Sequence, residues 1–175
     1  MLDKRQRLFF ALLPEPGLQR QIQSLGQMDI GSGGRPVAWR NLHMTLVFLG
    51  MTNTAQRLCM ENAAESISLP AFELVLDQFG HWPVPQVLWL GCSYIPETLR
   101  ALAEQLNAAM PACGLEMDKR PYQPHVTVQR KSKIRPEYRA ISPLHWSVHE
   151  FVLLQPCSFP DGVRYQPLRR WPLRG

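Results

Sequence analysis

The chain has 175 residues, 45% of them hydrophobic and 19% charged, which is the composition of a globular protein and the length of one domain or of two small lobes with a shared interface. No apolar run approaches the roughly 18 to 20 residues of a membrane helix, and MLDKRQRLFFALLPEPG lacks a small-residue cleavage pattern, so a cytoplasmic protein without membrane attachment is expected. The net charge of +5 is uneven: residues 1–118 carry 8 basic and 11 acidic side chains, and residues 119–175 carry 11 and 3. A +8 segment on a −3 body suggests a phosphate-bearing partner, nucleic acid first.

In chain order, RLFFALL reads as a first strand stopped by PEPG, and LQRQIQSLGQM as a helix. GSGGRP resembles a glycine loop but lacks the closing Gly-Lys-Ser/Thr of a phosphate cradle, so it is read as a flexible loop. VAWRN and HMTLVFLG read as two short strands with a turn at Asn41. Residues 52–68 form a predicted helix with Leu58, Ala63 or Ala64, and Ile67 on its buried side. AFELVLDQFGHW and QVLWLGCSY read as a hairpin across PVP. Residues 96–113 make the clearest helix, with Leu99, Leu102, Ala103 and Leu106 on one face and Gly114 just past its end. The remaining strand-like runs are PYQPHVTVQRK, WSVHEFVLLQP and VRYQPLRRWPL. The four cysteines, Cys59, Cys92, Cys113 and Cys157, have no metal-ligand spacing and are expected as reduced core residues.

This order is that of an α+β chain. Its two halves each hold one His-x-Thr strand, His43 with Thr45 and His125 with Thr127, and so read as a weak internal repeat. Alternation places each histidine beside its threonine on one face. Met44, Leu46 and Phe48, or Val126 and Val128, then fall on the packed face. One such triplet is weak evidence, but five His and five Thr in this length give only roughly 0.1 triplets at random.

Two imidazoles facing one another can hold one neutral and one protonated member near neutral pH. That suits displacement at phosphorus: one ring takes the proton of the attacking oxygen, the other protonates the leaving oxygen, and hydroxyls donate to the non-bridging oxygens. Two histidines without a nearby carboxylate make a poor hard-metal site.

NLHMTLVFLG and PYQPHVTVQR, with RLFFAL near the start and AWRNLH before the first motif, resemble the two-histidine (2H) phosphoesterase superfamily, and within it the bacterial RNA 2′,3′-cyclic phosphodiesterases, or 2′-5′ RNA ligases. The resemblance implies a single domain over 1–175 with two pseudo-twofold lobes, each a mostly antiparallel sheet with helices outside, and His-x-Thr strands lining a central cleft. It implies metal- and cofactor-free opening of an RNA 2′,3′-cyclic phosphate to a 2′-phosphate, in a monomer acting on RNA ends such as tRNA halves. His43 is then the proton donor and His125 the acceptor, with Thr45, Thr127 and Arg130 on the phosphate. With a 5′-hydroxyl in place of water, the same groups would join a 2′-5′ linkage without ATP.

Strict alternation puts Lys131, not Arg130, on the histidine face, so either Lys131 makes the contact or the strand bulges before Arg130. Phe9, Trp39 and Tyr122 are candidates for base stacking or for core packing. His145 and His149 lie in a strand-like run, where their spacing of four does not align them as a metal pair. Lys131, Lys133, Arg135 and Arg139 can guide RNA or be a solvated loop. Two other readings remain: a non-catalytic RNA-binding module, and a phosphoesterase acting on a small cyclic phosphate such as ADP-ribose 1″,2″-cyclic phosphate.

Overall fold

The structure, a computed structural model, describes residues 5–27, 33–133 and 141–174. The chain runs β1 (Gln6–Leu12), α1 (Pro16–Gln27), β2 (Arg35–Pro36), a 3-10 turn (Trp39–Asn41), β3 (Met44–Thr52), α2 (Thr54–Glu65), β4 (Phe72–Leu76), β5 (Gln78–Trp82) and β6 (Val87–Gly91). It continues through α3 (Glu97–Ala109), a second 3-10 turn (Met110–Cys113), β7 (Val126–Arg130), β8 (Leu144–Val148), β9 (Glu150–Phe159) and β10 (Gly162–Pro172). No described helix is long and apolar enough to cross a membrane.

The expected lobes are the two halves of one antiparallel sheet rather than separate sheets. Its order is β10-β9-β1-β3-β7-β6-β5, with β2 also beside β7, while β4 and β8 pair in a ribbon of their own. The halves meet where β3 touches β7 at one residue pair, Met44 with Val126. Both side chains are fully buried, so their neighbours at ±1, His43 and Thr45 on β3 and His125 and Thr127 on β7, point to the opposite face.

The packed face holds the main core, in which Leu8, Phe10 and Leu12 of β1, Met44 of β3, and Val126 and Val128 of β7 meet apolar residues of all three helices. Each half lends a helix to the other: α1 lies against β7 and α3 against β3. A Cβ on Gly26 would sit 2.9 Å from Val128 Cβ, so glycine there sets how closely α1 approaches. The buried Gln129 amide donates to the Gly26 carbonyl at 2.5 Å and joins helix to strand. On the opposite face Phe9, Ala11, Val152 and Leu154 form a small second apolar cluster.

Several sequence expectations are revised. VAWRN is not a strand: Asn41 N–H donates to Ala38 O and Leu42 N–H to Trp39 O, closing the first 3-10 turn. Two predicted strands are each divided. The first swivels at Asp77, which accepts from Ser93 N at 2.7 Å and whose N–H donates to Gly91 O, so β4 leaves the sheet while β5 and β6 keep the expected hairpin. The second swivels at His149, whose carbonyl accepts from Leu173 N–H at 2.7 Å.

The helix at residues 52–68 forms, capped by Asn53 Oδ1 accepting from Gln56 N and Gln56 Oε1 accepting from Asn53 N. Its buried face is Met60, Glu61 and Ala64, however, and Leu58 is 58% exposed. Cys59 and Cys113 are not reduced: they form a disulfide, with 5.6 Å between Cα atoms, tying α2 to the turn after α3. Cys92 and Cys157 remain thiols.

Candidate active site

The two histidines are held alike. Residues 41–43 leave a 3-10 turn and residues 123–125 follow irregular chain, yet each imidazole folds back on the carbonyl two residues earlier. His43 Nδ1 lies 2.7 Å from Asn41 O, and His125 Nδ1 lies 2.8 Å from Gln123 O. A carbonyl only accepts, so Nδ1 carries the proton in both rings and Nε2 is the free, reactive nitrogen. Asn41 is itself pinned, its amide donating to Val163 O at 2.7 Å. Tyr122 is mostly buried, and its hydroxyl donates to Thr45 O at 3.1 Å, which supports β3 from beneath. The Thr45 and Thr127 hydroxyls make no hydrogen bond among the described residues, leaving both available to an oxygen-rich ligand.

Aromatic rings pack beside each imidazole with the same near-twofold logic. His43 lies against Phe9 at 5.1 Å and Tyr165 at 4.7 Å, and His125 against Trp82 at 4.5 Å and Trp89 at 6.2 Å, between ring centroids. Burial among these rings pushes the His43 pKa down to about 4, with contributions from the Arg130 and His125 charges, and pushes His125 down for the same leading reason, with Arg130 adding to it. Gly80 and Gly91 border the Trp89 indole; a Cβ on Gly80 would fall 2.0 Å from it, so the ring beside His125 requires glycine there.

A β-bulge sets which of Arg130 and Lys131 shares the histidine face. Leu88 pairs with Gln129 and Trp89 with Thr127, so Val128 is an extra residue in β7. Val128 and Gln129 are both buried, and beyond them Arg130 returns to the face of Thr127. Lys131 has φ +57° and turns the chain out of the strand. The Arg130 charge acts on both histidines.

A bulge also moves Phe48. Ala11 pairs with Thr45 but Phe10 with Val47, so Leu46 is the extra residue, and Phe48 lies on the histidine face instead of the core face. It is 63% exposed and 5.9 Å from Phe9. Phe9 is only 3% exposed and packs under His43, so of the expected stacking residues it offers no open ring. Tyr122 is likewise occupied by packing, and Trp39 lies under the guanidiniums of Arg20 and Arg40. Tyr165, Trp82 and Trp89 lie outside both motifs; only their strand pairings bring them to the site. His81 contacts Ser132 O at 2.9 Å, and His145 and His149 are exposed on and beside β8. Among the described residues, no three His, Cys, Asp or Glu side chains gather as metal ligands. Arg135 and Arg139 lie outside the described residues.

The arrangement can exchange protons across a small oxyanion: two Nε2 atoms from opposite halves, two uncommitted hydroxyls and one guanidinium share a face. The sequence model of the 2'-5' RNA ligase superfamily matches residues 14–156. The RNA 2',3'-cyclic phosphodiesterase of Escherichia coli (strain K12) is 37% identical, over 98% of this chain and 99% of its own. The protein of that name from Archaeoglobus fulgidus is 28% identical over 93% of this chain and 98% of its own. A crystal structure of E. coli LigT complexed with 3'-AMP superposes with a TM-score of 0.88 at 34% identity, covering 98% of this chain and all of that one. With most of its length matched by the family model and by a relative 37% identical, and with its fold in common with that of E. coli LigT, the chain belongs to the 2'-5' RNA ligase superfamily.

Proposed function

We propose that the protein is an RNA 2′,3′-cyclic phosphodiesterase that opens the terminal ring to a 2′-phosphate and a 3′-hydroxyl with its own side chains as the only catalysts. The observation that carries this reading is the pair of histidines with Nδ1 committed to a carbonyl and Nε2 free, one from each half of the sheet, under the charge of a single arginine. His125 Nε2 takes a proton from water as its oxygen bonds to phosphorus. The bond from phosphorus to O3′ breaks, and His43 Nε2–H delivers its proton to that oxygen. Solvent then restores both rings. Thr45, Thr127 and Arg130 hold the non-bridging oxygens as their charge grows. An RNA 5′-hydroxyl replacing water would give 2′-5′ ligation by the same proton movements. A cytoplasmic monomer acting on ends such as those of tRNA halves fits this chemistry.

The test offers the purified, EDTA-treated protein an oligoribonucleotide with a 2′,3′-cyclic phosphate end. A 2′-phosphate product is expected; an unopened ring defeats the proposal, and a 3′-phosphate product reverses the assignment of the leaving oxygen. Turnover of ADP-ribose 1″,2″-cyclic phosphate in preference to RNA would favour the small-substrate reading.

Phe48 is placed to stack on a base of the bound end. Base stacking on an aromatic ring is worth about 1–3 kcal/mol. Phe48→Ala is therefore expected to raise KM for such an RNA by about 5- to 150-fold. The melting temperature should hardly change, because the ring is 63% exposed. Steady-state kinetics and a thermal melt on one preparation check both.

A further inference from the structure

The basic charge that matters for a long substrate is not where the sequence concentrates it. In the cationic last third, Arg120 pairs with Asp118, Arg164 with Asp161, Arg169 with Glu61 and Glu65, and Arg170 with Glu150. By contrast, Arg20, Arg35 and Arg40, from the net acidic part of the chain, make no ion pair among the described residues, and neither does Arg130 of the last third. From residue 16 to residue 60 the sequence has one carboxylate, Asp29, which lies outside the described residues.

These four arginines are neighbours in the fold. Arg35 on β2 is the direct antiparallel partner of Arg130 on β7, which puts the two side chains on one face of the sheet. The 3-10 turn that follows β2 carries Arg40 and Trp39, and ends at Asn41, the residue that holds His43. Arg20 comes from α1, which is fastened to the same turn region by Gln19 Nε2 donating to Leu42 O at 3.3 Å. The Arg20 and Arg40 guanidiniums lie 5.4 and 5.0 Å from the centroid of the Trp39 ring. A guanidinium resting on an indole keeps its N–H groups free for phosphate oxygens while its rotamers are restricted. Beyond β2 the sheet has an open rim, because β2 pairs with β7 alone.

We propose that Arg35, Arg40 and Arg20 form a phosphate track for single-stranded RNA, leading from Arg130 over the rim at β2 and binding nucleotides on the 5′ side of the reacting end. Trp39 is the plate that orders two of these cations and is not itself a base-stacking surface. The track rests on the reading of the cleft as an RNA-end site, and it makes the preferred substrate an oligomer several nucleotides long. A mononucleotide would use the histidine site and leave the track empty.

The experiment uses two probes: a labelled ten-nucleotide RNA ending in 2′-phosphate, followed by fluorescence anisotropy against salt, and 2′,3′-cyclic AMP, followed by turnover. Each phosphate contact on a single strand contributes roughly 0.7 to the slope of log affinity against log salt. Arg20→Gln/Arg40→Gln is expected to reduce that slope by about 1.4 and to weaken RNA binding about 10- to 50-fold at 100 mM salt. Cyclic AMP turnover should change less than twofold, and Arg20→Lys/Arg40→Lys should recover most of the slope. An unchanged slope overturns the track, as does a parallel fall in cyclic AMP turnover, which would mean that the arginines support the fold or the histidine site. If the unmodified protein opens neither cyclic AMP nor a cyclic RNA end, the proposed function fails, and the track is still decided by the anisotropy.

Discussion

His125→Ala is expected to lower kcat on an RNA with a 2′,3′-cyclic phosphate end by about 10²- to 10⁴-fold, and His43→Ala by a similar factor, because each removes one of two proton transfers at phosphorus. KM should change much less, since Arg130 and both threonines remain to hold the phosphate. The double variant should be hardly slower than the worse single one, as groups that act in one step do not contribute additively. The two roles separate with a nucleoside phosphodiester whose leaving group departs as an anion, such as p-nitrophenolate, which needs no proton. His43→Ala should then recover most of its loss while His125→Ala recovers little. Recovery by His125→Ala instead would exchange the acid and the base, and retention of full activity on RNA by either variant would remove the histidines from the mechanism.

That each histidine shares a face with its threonine was legible in the sequence, because strand alternation is a local rule. His and Thr two apart on an apolar strand share a face, and β3 and β7 join at Met44 and Val126, so each motif kept its polar side together. Alternation stops being a guide where a strand gains a residue. Leu46 in β3 and Val128 in β7 are extra residues with no glycine or other local mark of a bulge beside them, whereas the second shift of β3, at Leu49, adjoins Gly50 with its φ of +68°. Directly past them the side chains change face, which is why Phe48 reads as core and is exposed, and why Arg130 reads as facing away and acts on both histidines.

The rest of the site was hidden for a different reason. Trp82, Trp89 and Tyr165 reach the imidazoles from strands whose neighbours are set by long-range pairing, and no periodicity within one segment reports it. Charge was similarly misleading when counted along the chain. The last third is the most basic, yet many of its arginines are spent on nearby carboxylates, whereas Arg20 and Arg40, on a net acidic stretch, have none. Linear counts give the field only when opposite charges are far apart in space.

Arg130→Gln is expected to lower kcat/KM by about 10- to 100-fold, the loss of a charged hydrogen bond to phosphate, and also to move the pH profile. Burial and the Arg130 charge both hold the histidine pKa values down, His43 to about 4. In free enzyme the base must be neutral and the acid protonated, so activity falls below the lower of the two values and above the higher. With both values below 6.5, both limbs of kcat/KM lie on the acid side of an ordinary imidazole. Binding an anionic phosphate works in the opposite direction, favouring the protonated acid, so the profile of kcat should be displaced to higher pH than that of kcat/KM. Removing the positive charge of Arg130 raises both pKa values, and both limbs of kcat/KM should shift upward in pH. Arg130→Lys keeps the charge but not the fork: its limbs should stay near those of the unmodified protein while the rate still falls. Profiles of kcat/KM from pH 4 to 9 for the three proteins decide the matter. A slower Arg130→Gln enzyme with unmoved limbs would mean that the guanidinium holds phosphate without tuning the imidazoles, and unmoved limbs with an unchanged rate would take Arg130 out of the site.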